Sequence, residues 1–125
     1  MYQGYASRGH QTYADNAVST QSQGQLIIML YDGAIKFIDR AVEGIASRQI
    51  QEAHVNIIKT QRIVNELLVT LKLDVGEVAQ QLQTMYQYMY QQLVQANIKK
   101  DVQILDEVKE LLIGLRDAWK QIYQK

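Results

Sequence analysis

The chain has 125 residues, with thirteen basic and thirteen acidic side chains, no Cys and no Pro. Balanced charge without a basic run argues against a nucleic-acid-binding protein, and the lack of Cys excludes disulfides and thiolate metal sites. This length suffices for one domain, and the lack of Pro together with abundant Leu, Ile, Val, Gln and Ala favours long, uninterrupted helices.

The start of the chain differs in composition from the rest. Residues 1–24 have few charges and are rich in Gly, Gln and Ser, which is typical of a weakly structured or short-helical arm. We therefore predict an N-terminal arm over residues 1–24 and a single helical domain over residues 25–125. Tyr5 and Tyr13 are candidate anchors that would dock the arm onto a surface, because tyrosine rings are large and amphipathic. The alternative is that these tyrosines are solvated.

Apolar side chains recur at helical spacing in four segments after the arm. Helices of about 22 residues are each about 33 Å long, and short connections force consecutive helices to be antiparallel neighbours. We therefore predict an all-α fold, namely an antiparallel up-down-up-down four-helix bundle. The predicted helices span about residues 22–45, 49–72, 76–97 and 102–124.

Polar residues near the predicted helix boundaries supply capping signals. Ser22 followed by Gln25 is typical of a capping box at the start of the first helix. Asp74 and Asp101 are the predicted N-caps of the third and fourth helices, because a carboxylate accepts hydrogen bonds from the unpaired N–H groups of a first turn.

The residues that carry chemistry in enzymes are mostly missing. His10 and His54 are the two histidines, and His54 is best interpreted as a residue at the edge of the core stripe of the second helix. The chain has no Glu-x-x-His pair for a di-iron site, no nucleophile elbow and no glycine-rich phosphate loop. We expect neither an enzyme nor a bound metal or cofactor.

No segment of the sequence has the pattern of a membrane span or a secretory signal. The longest unbroken apolar run, Leu26 to Tyr31, is far shorter than the roughly 20 residues needed to cross a bilayer. The N-terminus has no basic region followed by an apolar one. We expect a protein of the cytosol without membrane insertion.

The helices carry more apolar residues than a bundle core needs, since one inward stripe takes about three positions in seven. Surplus stripes on neighbouring helices indicate a partner-binding surface, because monomers rarely expose large apolar patches. Dimerisation and irregular internal packing are the alternatives. The candidate binding residues are Ile28 and Ile35 in the first helix, Val55, Ile58 and Val69 in the second, Tyr88 and Tyr90 in the third, and Ile104, Leu111 and Ile113 in the fourth.

Several short motifs follow one another over residues 17–122. They are Ala17-Val18-Ser19, Gln25-Leu26-Ile27, Met29-Leu30-Tyr31-Asp32-Gly33-Ala34, Gly76-Glu77-Val78-Ala79, Gln95-Ala96-Asn97 and Asp117-Ala118-Trp119-Lys120-Gln121-Ile122. With this order and spacing, the chain resembles the flagellar secretion chaperone family, the flagellin-specific export chaperones called FliS.

The resemblance implies a cytosolic chaperone whose apolar grooves cover the C-terminal region of flagellin. Such cover would prevent premature polymerisation and keep flagellin competent for flagellar type III secretion. It also implies the flagellar export gate and flagellar regulators as further partners, no nucleic acid, and a monomer or weak homodimer. The alternatives are a self-associating structural bundle and a regulatory binder of another flagellar protein.

Overall fold

The computed structural model describes residues 19–71 and 76–123, with side chains from residue 23 onward, and every regular element in these ranges is an α-helix. The predicted all-α class is confirmed. Tyr5, Tyr13 and the predicted cap Asp74 lie outside the described residues. The helices are α1 (Ser19–Ala46), α2 (Ile50–Thr70), α3 (Glu77–Lys99) and α4 (Val102–Tyr123).

The four helices form a ring. Each helix packs against its neighbours in the chain, and α4 closes the ring against α1. Contact is most extensive between α1 and α2 and least extensive between α3 and α4. Consecutive helices run antiparallel, so the predicted up-down-up-down bundle is confirmed. Among the described helices, none has the length and apolar character that crossing a membrane would require.

The core lies along the axis of the ring and is built from apolar side chains at three- and four-residue spacing. This spacing keeps them on one face of each helix, as the periodicity of the sequence predicts. The largest fully buried apolar side chains are Tyr31 and Ile38 of α1, Ile57, Val64 and Leu67 of α2, Tyr86, Met89 and Leu93 of α3, and Leu105, Val108 and Leu112 of α4.

Small residues let α1 and α2 approach each other closely. A Cβ atom at Gly44 would lie 3.1 Å from the backbone nitrogen of Ala53 and 3.2 Å from the carbonyl oxygen of Gln49. Ala34 and Ala41 are fully buried on the same helix. The close contact fixes the position of α1, whose first turns contribute to the site described below.

Two left-handed residues end α1 and α3. Arg48 has a φ of 61° and Lys100 a φ of 51°. The N–H of Gln49 donates to the carbonyl of Gly44 at 2.7 Å, which satisfies one of the unpaired carbonyls at the end of α1. Asp101 then caps α4, because its Oδ1 accepts a hydrogen bond from the Gln103 N–H at 2.9 Å. The prediction for Asp101 is confirmed.

The start of α1 differs from its prediction. The helix begins at Ser19, so the backbone of Ser22 is already helical and Ser22 is not the N-cap. The predicted capping box of Ser22 and Gln25 is therefore wrong. Its pattern of a Ser followed by Gln at the third position also occurs inside helices, where it has no capping role.

Candidate functional site

Two of the candidate binding residues are in the core. Ile28 is 3% exposed and Ile35 is 8% exposed. At about 100° per residue both lie within about 60° of the buried Tyr31, and α1 packs against α2 on one side and α4 on the other. The prediction that Ile28 and Ile35 lie on an open surface is wrong. The two helices α2 and α4 together cover a wider part of the circumference of α1 than one stripe of core residues occupies.

The other candidates divide between core edge and surface. Ile58 is partly buried, whereas Val55, Val69 and Tyr88 are exposed on the outer faces of α2 and α3. The remaining four are partly buried and pack against the edge of the core. They are Tyr90, Ile104, Leu111 and Ile113.

A large apolar cavity lies at one end of the bundle, where α1 and α3 begin and α2 and α4 end. Its volume is about 550 Å³. None of the ten candidate residues lines it. The lining residues are Gln23, Gly24 and Ile27 of α1, Leu67, Thr70 and Leu71 at the end of α2, Val78, Ala79, Leu82 and Tyr86 of α3, and Leu115, Ala118, Trp119, Ile122 and Tyr123 of α4.

The rim of this cavity is apolar and open to solvent. Val78 of α3 is 68% exposed and Ile122 of α4 is 65% exposed. These residues lie on α3 and α4, which make the least extensive contact of the neighbouring helix pairs. Large exposed aliphatic residues at the mouth of an apolar cavity are typical of a surface that another chain covers.

The floor of the cavity is formed by Tyr86 and Trp119, which belong to a hydrogen-bonded group with the fully buried Tyr31. The Trp119 Nε1–H donates to the Tyr31 hydroxyl at 3.1 Å, and the hydroxyls of Tyr31 and Tyr86 are hydrogen-bonded to each other. Burial raises the pKa of Tyr31 and of Tyr86 above the ordinary tyrosine value. Both phenols therefore stay neutral at physiological pH, and the floor offers apolar rings with satisfied polar atoms.

One wall is made by the end of α4 against the start of α1. The rings of Trp119 and Tyr123 stack with their centroids 5.3 Å apart and an interplanar angle of 14°. The Tyr123 ring lies so close to Gly24 that a Cβ atom at that position would overlap it. The Gly24 backbone and the Trp119 indole thus border a narrow slot at the side of the cavity, and the Tyr123 ring occupies it.

Ion pairs hold α4 against α1 below this wall. Arg116 Nη1 lies 3.1 Å from Asp32 Oδ1, and Lys109 Nζ lies 2.6 Å from Asp39 Oδ1. The hydrogen bonds to these carboxylates raise the pKa of Arg116 and of Lys109. The pairs are partly exposed, so we treat them as setting the position of α4 rather than as a large source of stability.

The cavity could not be found from periodicity alone. Helical spacing places Val78, Leu82 and Trp119 on the core stripes of their helices, yet Val78 is exposed and the other two are only partly buried. These residues lie near the helix ends, where α3 and α4 leave room between them. In the part of the chain that the structure describes, no cluster of His, Asp or Glu side chains suits a metal ion.

The family model described as "Flagellar protein FliS" matches residues 6–125. The chain belongs to the FliS family. The flagellar secretion chaperone FliS of Bacillus subtilis is 43% identical over 112 residues, which cover 90% of this chain and 84% of the relative. That of Escherichia coli is 37% identical over 123 residues, covering 94% and 90%. That of Salmonella typhimurium is 36% identical over 132 residues, covering 97% and 94%. The resemblance inferred from the sequence motifs is confirmed.

Proposed function

We propose that this member of the FliS family is an export chaperone that binds the C-terminal region of flagellin in the apolar cavity at the end of the bundle. The observation that carries the proposal is the cavity itself, a volume of about 550 Å³ with Val78 and Ile122 exposed at its mouth. An amphipathic segment of a partner can place its apolar residues there, as in other helix-in-groove complexes.

The chemistry of the cavity suits temporary cover of such a segment. Flagellin subunits polymerise through apolar faces, so a chaperone must occupy these faces before export and release them afterwards. A segment that is disordered before binding loses conformational entropy when it is ordered, and this loss lowers the net affinity for a given buried area. Release then needs no nucleotide hydrolysis, and we expect binding without catalysis.

The proposal includes the cytosol as the place of action and the flagellar export gate and flagellar regulators as further partners. A segment that wraps around the bundle would also contact side chains outside the cavity. Val55, Ile58, Val69 and Tyr88 remain candidates for such contacts, because three of them are exposed and Ile58 is partly so. The anchoring roles of Tyr5 and Tyr13 remain predictions.

A matched pair of substitutions on α3 tests the proposal. Val78 and Ile98 are 68% and 71% exposed, and the helix rise places them about 30 Å apart. We expect Val78→Asp to weaken binding of a flagellin C-terminal peptide at least about tenfold, since a carboxylate at the mouth must be desolvated. Ile98→Asp serves as the control and leaves binding unchanged. Isothermal titration calorimetry measures the affinity.

Both variants should unfold at the same temperature as the wild type, because neither side chain belongs to the core. Equal affinities of the two variants, or a stronger loss in Ile98→Asp, would place the client elsewhere on the bundle. Val55→Asp in the same assay asks whether the outer face of α2 contributes.

A further inference from the structure

Tyr123 is the last residue of α4 and lines the cavity from one side. Its ring is partly buried and occupies the slot between the Gly24 backbone and the Trp119 indole. The ring thus takes up apolar space that is continuous with the cavity. A side chain of this chain, rather than of a partner, fills that part of the site.

The slot depends on the residue at position 24. Because glycine has no Cβ, the Tyr123 ring lies directly against the backbone of α1. Any other residue there would push the ring outward. Gly24 therefore creates the space, and Tyr123 occupies it.

The contacts of Tyr123 differ from those of the cavity floor. The hydroxyls of Tyr31 and Tyr86 are hydrogen-bonded to each other inside the core. The Tyr123 hydroxyl makes no hydrogen bond to another described residue, and the ring is held by stacking and apolar contact. Displacing the ring from the slot therefore breaks no hydrogen bond to a described residue.

We propose that Tyr123 is an internal occupant of the cavity, which an apolar side chain of the flagellin C-terminal segment displaces on binding. This inference rests on the proposed function, since it concerns the regulation of that same site. The client must break the contacts of the Tyr123 ring before it can fill the slot, and the free energy of those contacts reduces the net free energy of binding. The occupied slot therefore lowers the affinity for the client. Such an occupant also covers the apolar slot while no client is bound.

The substitution Tyr123→Ala tests the displacement. If the ring competes with the client, its removal tightens binding of the flagellin C-terminal peptide by roughly three- to tenfold in calorimetry. Unchanged or weaker binding overturns the proposal, because the ring would then be a passive or contributing part of the wall. Ile98→Ala, which shortens an exposed apolar residue outside the cavity, is the control and leaves the affinity unchanged.

A second readout is independent of flagellin. Trp119 is the only tryptophan, so its fluorescence reports the stacked ring directly. We expect Gly24→Ala to expel the ring and change the emission of Trp119, and to cause no further change in a Tyr123→Ala background. Identical emission spectra of Gly24→Ala and wild type would show that the ring is not held in the slot, and would overturn the proposal.

The dye anilinonaphthalene sulfonate separates failure of this inference from failure of the proposed function. Removal of an internal occupant increases binding of this apolar probe to the Tyr123→Ala variant, even if flagellin binds neither protein. Increased dye binding with no flagellin binding supports the internal occupant and rejects flagellin as the client. Normal flagellin binding with no increase in dye binding rejects the internal occupant alone.

Discussion

At the scale of single residues, three aromatic side chains determine the character of the cavity floor. Tyr31 accepts a hydrogen bond from Trp119 and is bonded to Tyr86, so all three polar atoms have partners in an apolar setting. A buried hydroxyl or indole N–H without a partner costs about 1–3 kcal/mol, so the group is stable only as a set. It gives the site rigid apolar rings without unsatisfied donors.

The raised pKa of the buried phenols predicts a loss of stability in alkali. In the unfolded chain a tyrosine ionises near pH 10, whereas burial keeps Tyr31 and Tyr86 protonated in the fold. The unfolded state therefore loses protons that the folded state retains, so stability is fully present below about pH 10 and falls above it. By about pH 11 we expect a loss of about 1 kcal/mol from Tyr31, with a further loss of the same sign from Tyr86.

Urea unfolding at about pH 8 and about pH 11 measures this loss. The Tyr31→Phe variant starts less stable but should lose less stability over the same interval, because one ionising group is gone. If Tyr31→Phe lost as much stability over this pH interval as the wild type, Tyr31 would ionise in the folded protein as it does in the unfolded chain.

At the scale of elements, glycines inside helices have opposite roles. Gly44 lies where a Cβ atom would press on the backbone at the start of α2, whereas no described residue has an atom within 4 Å of a Cβ atom at Gly114 on the exposed face of α4. The first glycine is required by packing. The second weakens its helix without any contact in the structure that accounts for it.

Gly114→Ala should therefore stabilise the protein. Glycine inside a helix costs roughly 0.5–1 kcal/mol relative to alanine, because it loses more backbone freedom on folding. We expect a gain of about that size in urea unfolding, without a change in the denaturant slope. Gly44→Ala is the matched contrast and should destabilise the protein, since it forces α1 and α2 apart. A gain from both substitutions would mean that α1 and α2 are packed less closely than described.

The four helices could be predicted from the sequence to within three residues of their ends, since each has a long apolar stripe. Asp101 could be predicted as a cap because its signal is local. The burial of Ile28 and Ile35 could not be predicted from the sequence, because it depends on the two helices that flank α1. The cavity could not be predicted either. Val78 and Ile122 have the same helical spacing as core residues, and they are exposed because α3 and α4 pack loosely there.

At the scale of the whole molecule, the apolar cavity lies at one end of the described bundle, with Val78 and Ile122 exposed at its mouth. The ion pairs between α1 and α4 join these two helices along one side of the bundle, and the less extensive contact between α3 and α4 leaves the other side open at the cavity. A partner that covers the mouth buries Val78 and Ile122 together. A second copy of the chain can also cover this end, as a self-associating bundle requires, so the position of flagellin must be measured directly.

Nuclear magnetic resonance of the labelled protein, titrated with a flagellin C-terminal peptide, makes that measurement. The single tryptophan gives one indole Nε1–H signal, which reports the cavity floor at Trp119. We predict that this signal and the methyl signals of Val78 and Ile122 shift on binding, while the methyl signals of Ile98 stay in place. Binding that shifts Ile98 and leaves Trp119, Val78 and Ile122 unchanged would contradict this prediction.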